Sequence, residues 1–374
     1  MVGVKYRGRV LSSGLCGPPS PEVADEDCDT IPLSSDDLPA DMIDRPYVMG
    51  VLKSNGLALE QLPKAVRADR EFVVEAMNQD ALALRFASDD LLSDRELAMI
   101  AVSQKGCVLE HLPPELRADN EIVYEAVRND GLALEYAAEK FHMDNDMVLE
   151  AVQQNWRAID HAKGDVLASE TFMSAAVKVH WRVICYASQA ICANRAIVRE
   201  AALQNWAALA HAADHLQSDR ELISESVDCH WQALLYACEE FKADRTLVMK
   251  ALQQSGLALQ CASEALRFDR DLVLTAVRRS GGALEYASEQ LRADPEVVLE
   301  AVRQDRLSLK HASETLREDR TFMLQAVRID GLAAEFAAGS LQSDQALMLE
   351  AVRQDWRAVQ HADASINQDS TLVA

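Results

Sequence analysis

The chain of 374 residues is poor in aromatic side chains, at 5%, and it has no surplus of basic charge: 37 Lys and Arg face 60 Asp and Glu, for a net charge of −23 at pH 7. So few rings argue against a sandwich or barrel, whose strands are enriched in aromatic and β-branched residues. The acidic balance argues against an extended nucleic-acid surface, because phosphate binding draws on a local surplus of Lys and Arg. It favours protein or peptide partners that are basic or neutral. No run approaches the roughly 20 apolar residues of a spanning helix, and the start MVGVKYRGRVLSSGLCGPPSP lacks the apolar stretch of a signal peptide. Val2 rather than Gly follows Met1, which speaks against myristoylation. The eight cysteines (Cys16, Cys28, Cys107, Cys185, Cys192, Cys229, Cys238, Cys261) form no CxxC pair and no framework spacing. They read as free thiols of a reducing, cytoplasmic compartment. There is no Gly-rich phosphate loop, no GxSxG and no HExxH. The expectation is a protein without enzymatic activity, cofactor or metal.

What the sequence has is a period. Aspartates stand at 44, 69, 94, 119 and 144, then at 219, 244, 269, 294, 319, 344 and 369, always 25 residues or a multiple apart. The two missing terms, Ser169 and Asn194, are residue types that cap helix N-termini equally well. An uninterrupted spacing of 25 residues from Asp44 to Asp369 means an array of thirteen copies of one unit. Such arrays are solenoids in which each unit contacts only its neighbours. The predicted fold is therefore an all-α solenoid of about thirteen 25-residue helical hairpins over residues 41–374, with the chain ending inside a repeat. Residues 1–40 are rich in Ser, Pro, Gly and Asp, with eight acidic side chains and no Lys or Arg between Val10 and Asp44, and read as a disordered acidic tail.

With the capping residue as position 0, each unit can be read by column. In the copy from Asp244 to Phe268, apolar residues at positions 3, 4, 7 and 8 (Leu247, Val248, Ala251, Leu252) mark one face of a helix about ten residues long. Position 7 is Ala in eleven of thirteen units, which implies close approach of a neighbour. Position 11 carries a second capping residue in ten units (Asn55, Asp80, Asp130, Asn155, Asn205, Ser255, Ser280, Asp305, Asp330, Asp355) and should start a second helix. That helix buries positions 14, 15 and 18, and an apolar residue at position 22 closes every unit, from Val66 to Ile366. Pro295 fits at the first helical position after Asp294. Pro63 and Pro113 should end their second helices early. Helices this short are marginal alone, so stacking must hold them. At roughly 8–10 Å per packed layer, the array would run on the order of 100–130 Å.

The consensus D-R-x-V-V-L-x-A-V-x-Q-[ND]-G-x-A-L-x-Y-A-S is legible in DRDLVLTAVRRSGGALEYASEQL and DPEVVLEAVRQDRLSLKHASETL. Over residues 44 to 374 it resembles a tandem-repeat family known chiefly from protists and catalogued as domain of unknown function 4116. The resemblance implies a helical array and brings no activity, ligand or catalytic residue with it. Family members typically span two of the present units, which fits an alternation at position 17: Phe86, His111, Tyr136, His161, Tyr186, His211, Tyr236, Cys261, Tyr286, His311, Phe336, His361.

Functional information should lie where the units differ. All five tryptophans share position 12 (Trp156, Trp181, Trp206, Trp231, Trp356), where other units mostly carry Gly. Arg157 and Arg182 follow two of them, and His180 and His230 precede two. Trp and Arg are enriched in binding hot spots, so Trp156, Trp181, Trp206, Trp231, Arg157 and Arg182 are the candidate partner-binding residues. Against this stands a packing role, in which Trp fills a gap that Gly leaves elsewhere. The histidines of position 17 are two layers apart, too far to share a metal ion, and are expected to pack against neighbouring rings. Arg278, Arg303, Arg328 and Arg353 share position 9, but Glu300 and Glu350 stand three residues before Arg303 and Arg353, as ordinary helix-surface pairs do. Cys185, Cys192, Cys229 and Cys238 with His180 and His230 lack the close ligand spacing of a zinc site. The reading is a protein-interaction scaffold. Its alternative is a helical-repeat RNA reader, which needs a basic groove that this composition does not supply.

Overall fold

The computed structural model describes residues 43–362, together with the backbone of a short antiparallel pair, Lys5–Tyr6 with Arg9–Val10. The rest of the expected tail, the last apolar anchor Ile366 and the cap Asp369 lie outside the described residues. Contacts divide the chain into two compact units, Met1–Ser188 and Gln189–Ala374. One and the same repeat builds both.

In the first repeat Asp44 caps the ten-residue α-helix Arg45–Ser54, with its carboxylate accepting from the Tyr47 N–H. Among the described residues all thirteen first helices have ten residues, and the side chain at position 0 caps each of them, Ser169 and Asn194 included. The second arm differs from the single helix expected. It is a six-residue 3-10 helix, Gly56–Gln61, followed by a four-residue α-helix, Lys64–Arg67. The buried residues of the 3-10 helix are positions 12, 14 and 15, as Gly56, Ala58 and Leu59, and it closes on position 18 by the i to i+3 bond of a 3-10 turn, the Leu62 N–H donating to the Leu59 carbonyl (3.2 Å). Positions 18 and 19 are extended in every repeat with a standard third helix, so Pro63 and Pro113 cut nothing short. They occupy a break that is already there and begin the third helix.

The core of each unit is made of the same columns throughout. Val73, Ala76, Leu84 and Ala83 are fully buried in the second repeat, as are Val273, Ala276, Leu284 and Ala283 in the tenth. Each large aliphatic side chain so buried contributes about 1.5–3 kcal/mol, which is what a ten-residue helix needs to persist.

Two further sets of bonds tie a repeat to the next. The N–H at position 19 donates to the carbonyl at position 23 of the preceding repeat, as in Ser88 to Arg67 (2.9 Å), Ala138 to Arg117 (2.9 Å) and Ser288 to Arg267 (3.1 Å). Pro113 has no N–H and leaves this rung out. The second set is a ladder of guanidinium groups that the helical pattern did not reveal. Arg45 reaches Asp69 and Glu71 of the next repeat (both 2.6 Å), and Arg70 and Arg95 do the same to Asp94 with Glu96 and to Asp119 with Glu121. In the second unit Arg195, Arg220, Arg245, Arg270 and Arg320 reach Asp219, Asp244, Asp269, Asp294 and Asp344. Each aspartate thus serves two helices: one oxygen caps its own, the other receives the arginine of the repeat before it.

This pattern lapses from Asn120 onward in the first unit. Asn120 and Asn145 stand where the arginines were, and Asn145 makes only a neutral contact to Ser169 Oγ (3.3 Å). The third helix of the repeat at 144–168 becomes a 3-10 turn, Gly164–Ala168, opened by Gly164 at φ 64°, a left-handed conformation suited to glycine.

Candidate functional site

Position 12 begins the 3-10 helix, immediately after its cap. Where it is Gly, the next repeat comes very close. A Cβ on Gly56, Gly106, Gly131, Gly256, Gly281 or Gly331 would lie under 3.0 Å from the carbonyl oxygen of the Ala at position 7 of the following repeat. The Ala column and the Gly column are therefore two sides of one contact. At these glycines there is no gap for Trp to fill, because backbone occupies the place, whereas the packing between units expected of Trp is seen in Trp156 on His180 and Trp206 on Tyr236. A repeat with Trp must hold its neighbour differently.

In the first unit the outcome is a layered cluster. The His180 imidazole stacks on Trp156 (centroids 4.8 Å apart, planes at 12°) and lies near Trp181 (6.1 Å, 20°). The Arg182 guanidinium stands 5.5 Å from the centroids of both indoles, and Arg157 stands 5.5 Å from that of Trp156. His180 also caps the 3-10 helix Trp181–Tyr186: its Nδ1 accepts from the Arg182 N–H (3.1 Å). That bond requires an unprotonated Nδ1. Partial burial, and then the Arg182 charge, hold the His180 pKa below the ordinary imidazole value. Trp156 and Trp181 remain half-buried, and Arg157 and Arg182 are exposed.

The second unit places Trp206 and Trp231, also half-buried. Trp206 stacks on Tyr236 (5.8 Å, 26°), and the Trp231 N–H donates to Gln254 Oε1 (2.9 Å). Trp356, which the candidate set leaves out, is 75% exposed. The rings of position 17 meet partners from other columns: Tyr236 meets Trp206, and His161 meets His142 edge-on at 6.5 Å. The position 9 arginines are surface pairs, with Glu300 holding both Arg278 (3.2 Å) and Arg303 (2.6 Å), and Glu350 holding Arg328 (3.6 Å) and Arg353 (3.9 Å).

The chemistry offered is that of contact. Burial pushes the Cys261 thiol up to about 11, away from a reactive thiolate. Among the described residues no three His, Cys, Asp or Glu side chains converge as a metal site, and no helix is long and apolar enough to cross a membrane. Sequence reasoning found the Trp column and its two arginines. It missed that His180 both caps and stacks, although a His at a capping position ahead of Trp was the visible signal.

These features define an all-α tandem-repeat protein of the solenoid class. The model of a family described as Domain of unknown function (DUF4116) matches residues 44–91, 69–117, 119–165, 219–267, 269–317 and 319–366, well over half of the chain, and the chain belongs to that family. Each match spans two repeats, and none covers 166–218, which holds Trp181 and Trp206. No curated protein and no solved structure matched the chain.

Proposed function

We propose that the protein is a non-enzymatic interaction scaffold whose contact residues are Trp156, Trp181, Arg157 and Arg182 in the first unit and Trp206 and Trp231 in the second. One observation carries this reading: the Trp156, His180 and Trp181 stack, with two guanidinium groups held at the rings, is only half covered by the protein itself. Half-buried indoles beside exposed arginines offer large apolar area together with hydrogen-bond donors, at little conformational cost on binding. The net charge of −23 favours a protein or peptide of basic or neutral character as the partner.

The test compares wild type with a variant in which Trp156, Trp181, Trp206 and Trp231 are all Ala. Ala81 stands naturally in the same column, so the repeat accepts that side chain. In quantitative affinity capture, proteins retained by wild type and lost from a variant of unchanged circular dichroism support the reading. An identical captured set overturns the Trp contact, and recovered RNA would favour the nucleic-acid alternative.

A further inference from the structure

Among the described residues eight junctions between repeats carry an arginine at position 1 bonded to the next cap aspartate. One junction keeps the receptor and lacks the donor. At Asp144 the residue in the arginine's place is Asn120, yet both acceptors remain, the cap carboxylate and an acid two residues on, Asp146. Asp144 uses Oδ1 for its own helix, accepting from the N–H groups of Asp146 (2.9 Å) and Met147 (3.2 Å). Among the described residues no cation lies within ion-pair distance of either Asp144 or Asp146. The other junctions without arginine among the described residues differ: Ser169 and Asn194 are neutral, and Asp319 has Thr321 rather than an acid at position 2, with the Thr321 hydroxyl bonded to it.

A concavity of about 440 Å³ opens at this junction. Its apolar sides are Met99, Tyr124, Phe141 and Met147, and Asn120 and Asp144 also line it. Tyr124 is 44% exposed. The chain itself shows what such a slot holds. In the repeat at 219–243, Arg220 occupies position 1, its guanidinium lies 5.9 Å from the Phe241 ring centroid, and it pairs with Asp244. Phe141 and Asp144 are the same two positions one hundred residues earlier. Lys140 bonds Asn120 Oδ1 (3.1 Å) and lies over Phe141 (4.6 Å), without reaching Asp144.

We propose that this slot receives an arginine side chain of a partner peptide, completing in trans the rung that Asn120 leaves open. A guanidinium suits it better than an ammonium, because it can stack on Phe141 or Tyr124 while donating from its edge to the carboxylates. The slot uses positions 0, 1 and 22 and none of the Trp column, so its failure and that of the scaffold contact are read separately.

The probe is acetyl-arginine amide, with its neutral isostere acetyl-citrulline amide as control, followed in methyl spectra of protein labelled with ¹³C at the methionine methyls. The arginine probe should shift the Met99 and Met147 resonances saturably, and the citrulline probe should leave them in place. Asn120→Arg fills the rung in cis, and should abolish the response and raise the melting temperature. Asp144→Asn keeps a capping side chain, as Asn194 shows in the same column, and should weaken binding at least tenfold. Absence of a wild-type response, an equal response to citrulline, or a response unchanged in both variants overturns the proposal.

Discussion

Between residues 44 and 118, Arg45, Arg70 and Arg95 each tie one repeat to two carboxylates of the next, and Gly56 and Gly106 let backbone meet backbone. Between 144 and 193 position 1 holds Asn145 and Glu170, position 12 holds Trp156 and Trp181, and Ser169 replaces a cap aspartate. The ten-residue first helices and the six-residue 3-10 helices have the same lengths in both regions, since caps and buried aliphatic columns set them, while the third helix of the repeat at 144–168 becomes the 3-10 turn Gly164–Ala168. What changes is the joint between layers. Exposed ion pairs contribute little individually, so losing them costs the second region modestly. Exchanging Gly for Trp moves ring area into the joint and out to the surface. In the second unit Trp206 coexists with the Arg195 to Asp219 pair, so Trp and the ionic rung are independent features. Both are altered at 144–193 and again in the repeat at Asp344, where position 1 holds Gln345 and position 12 holds Trp356.

The sharpest way to break this comparison is to import one joint into the other. Gly131→Trp places a side chain where a Cβ already lies under 3.0 Å from the Ala151 carbonyl oxygen. Overpacking of this kind typically costs 1–3 kcal/mol, and with backbone as the obstacle a loss of about 3 kcal/mol is expected in urea denaturation. A variant within about 0.5 kcal/mol of wild type would show that Gly and Trp joints are interchangeable, and the distinction between the regions would fall.

The parts of the fold legible in the sequence were those confined to one repeat. The cap progression, the Ala column and the second caps are local, and nine of the ten position 11 residues do accept from the N–H two residues on, Ser280 being the exception. The type of the second arm was misread because two helical turns of apolar residues fit α and 3-10 periods almost equally well. The arginine ladder was hidden for another reason: its partners are 24 and 26 residues apart, so a pattern read along one helix never shows them side by side. The same holds for the Asn120 slot, which is an absence in one repeat and a cavity only against the next. At the Trp site the residues were legible and their mutual geometry was not, since stacking depends on how rings from two consecutive repeats are oriented, as with His180 on Trp156.

Acid should separate the two regions next. The folded pKa of His180 is depressed, first by burial and then by Arg182. Its contribution is present above the ordinary imidazole value, about 6.5, and is lost as pH falls through the lower folded value. The Asp119 carboxyl is held below its ordinary value of 3.8, first by the Arg95 hydrogen bond and then, against partial burial, by its own helix N–H groups. Its contribution persists until pH drops through that lower value. Between about pH 6 and pH 4, amide protection relative to the intrinsic exchange rate at each pH should therefore fall in Trp181–Tyr186, where protonated Nδ1 no longer accepts from Arg182, while Arg95 and Asp119 still hold Asn120–Asn129. Equal loss of protection in both segments would remove His180 from its capping role.

The smallest effect concerns the backbone rung that Pro113 omits in the regular region. Pro113→Ala supplies an N–H aimed at the Leu92 carbonyl, as Ser88 and Ala138 supply theirs to Arg67 and Arg117. A hydrogen bond of this kind is worth about 1 kcal/mol net. Against it stands the freedom that proline removes from the unfolded chain, about 0.4–1 kcal/mol where its native angles suit, and at φ −63° they do. Pro114 follows and keeps residue 113 extended in either variant, so the donor is aimed by the chain itself. The two terms nearly cancel, and the urea midpoint should move by no more than about 0.5 kcal/mol in equivalent stability. A gain beyond 1 kcal/mol would mean that the regular joints rest on the backbone ladder more than on their arginines, which would place the true contrast with 144–193 elsewhere, because Lys163 and Ser188 keep that ladder intact there.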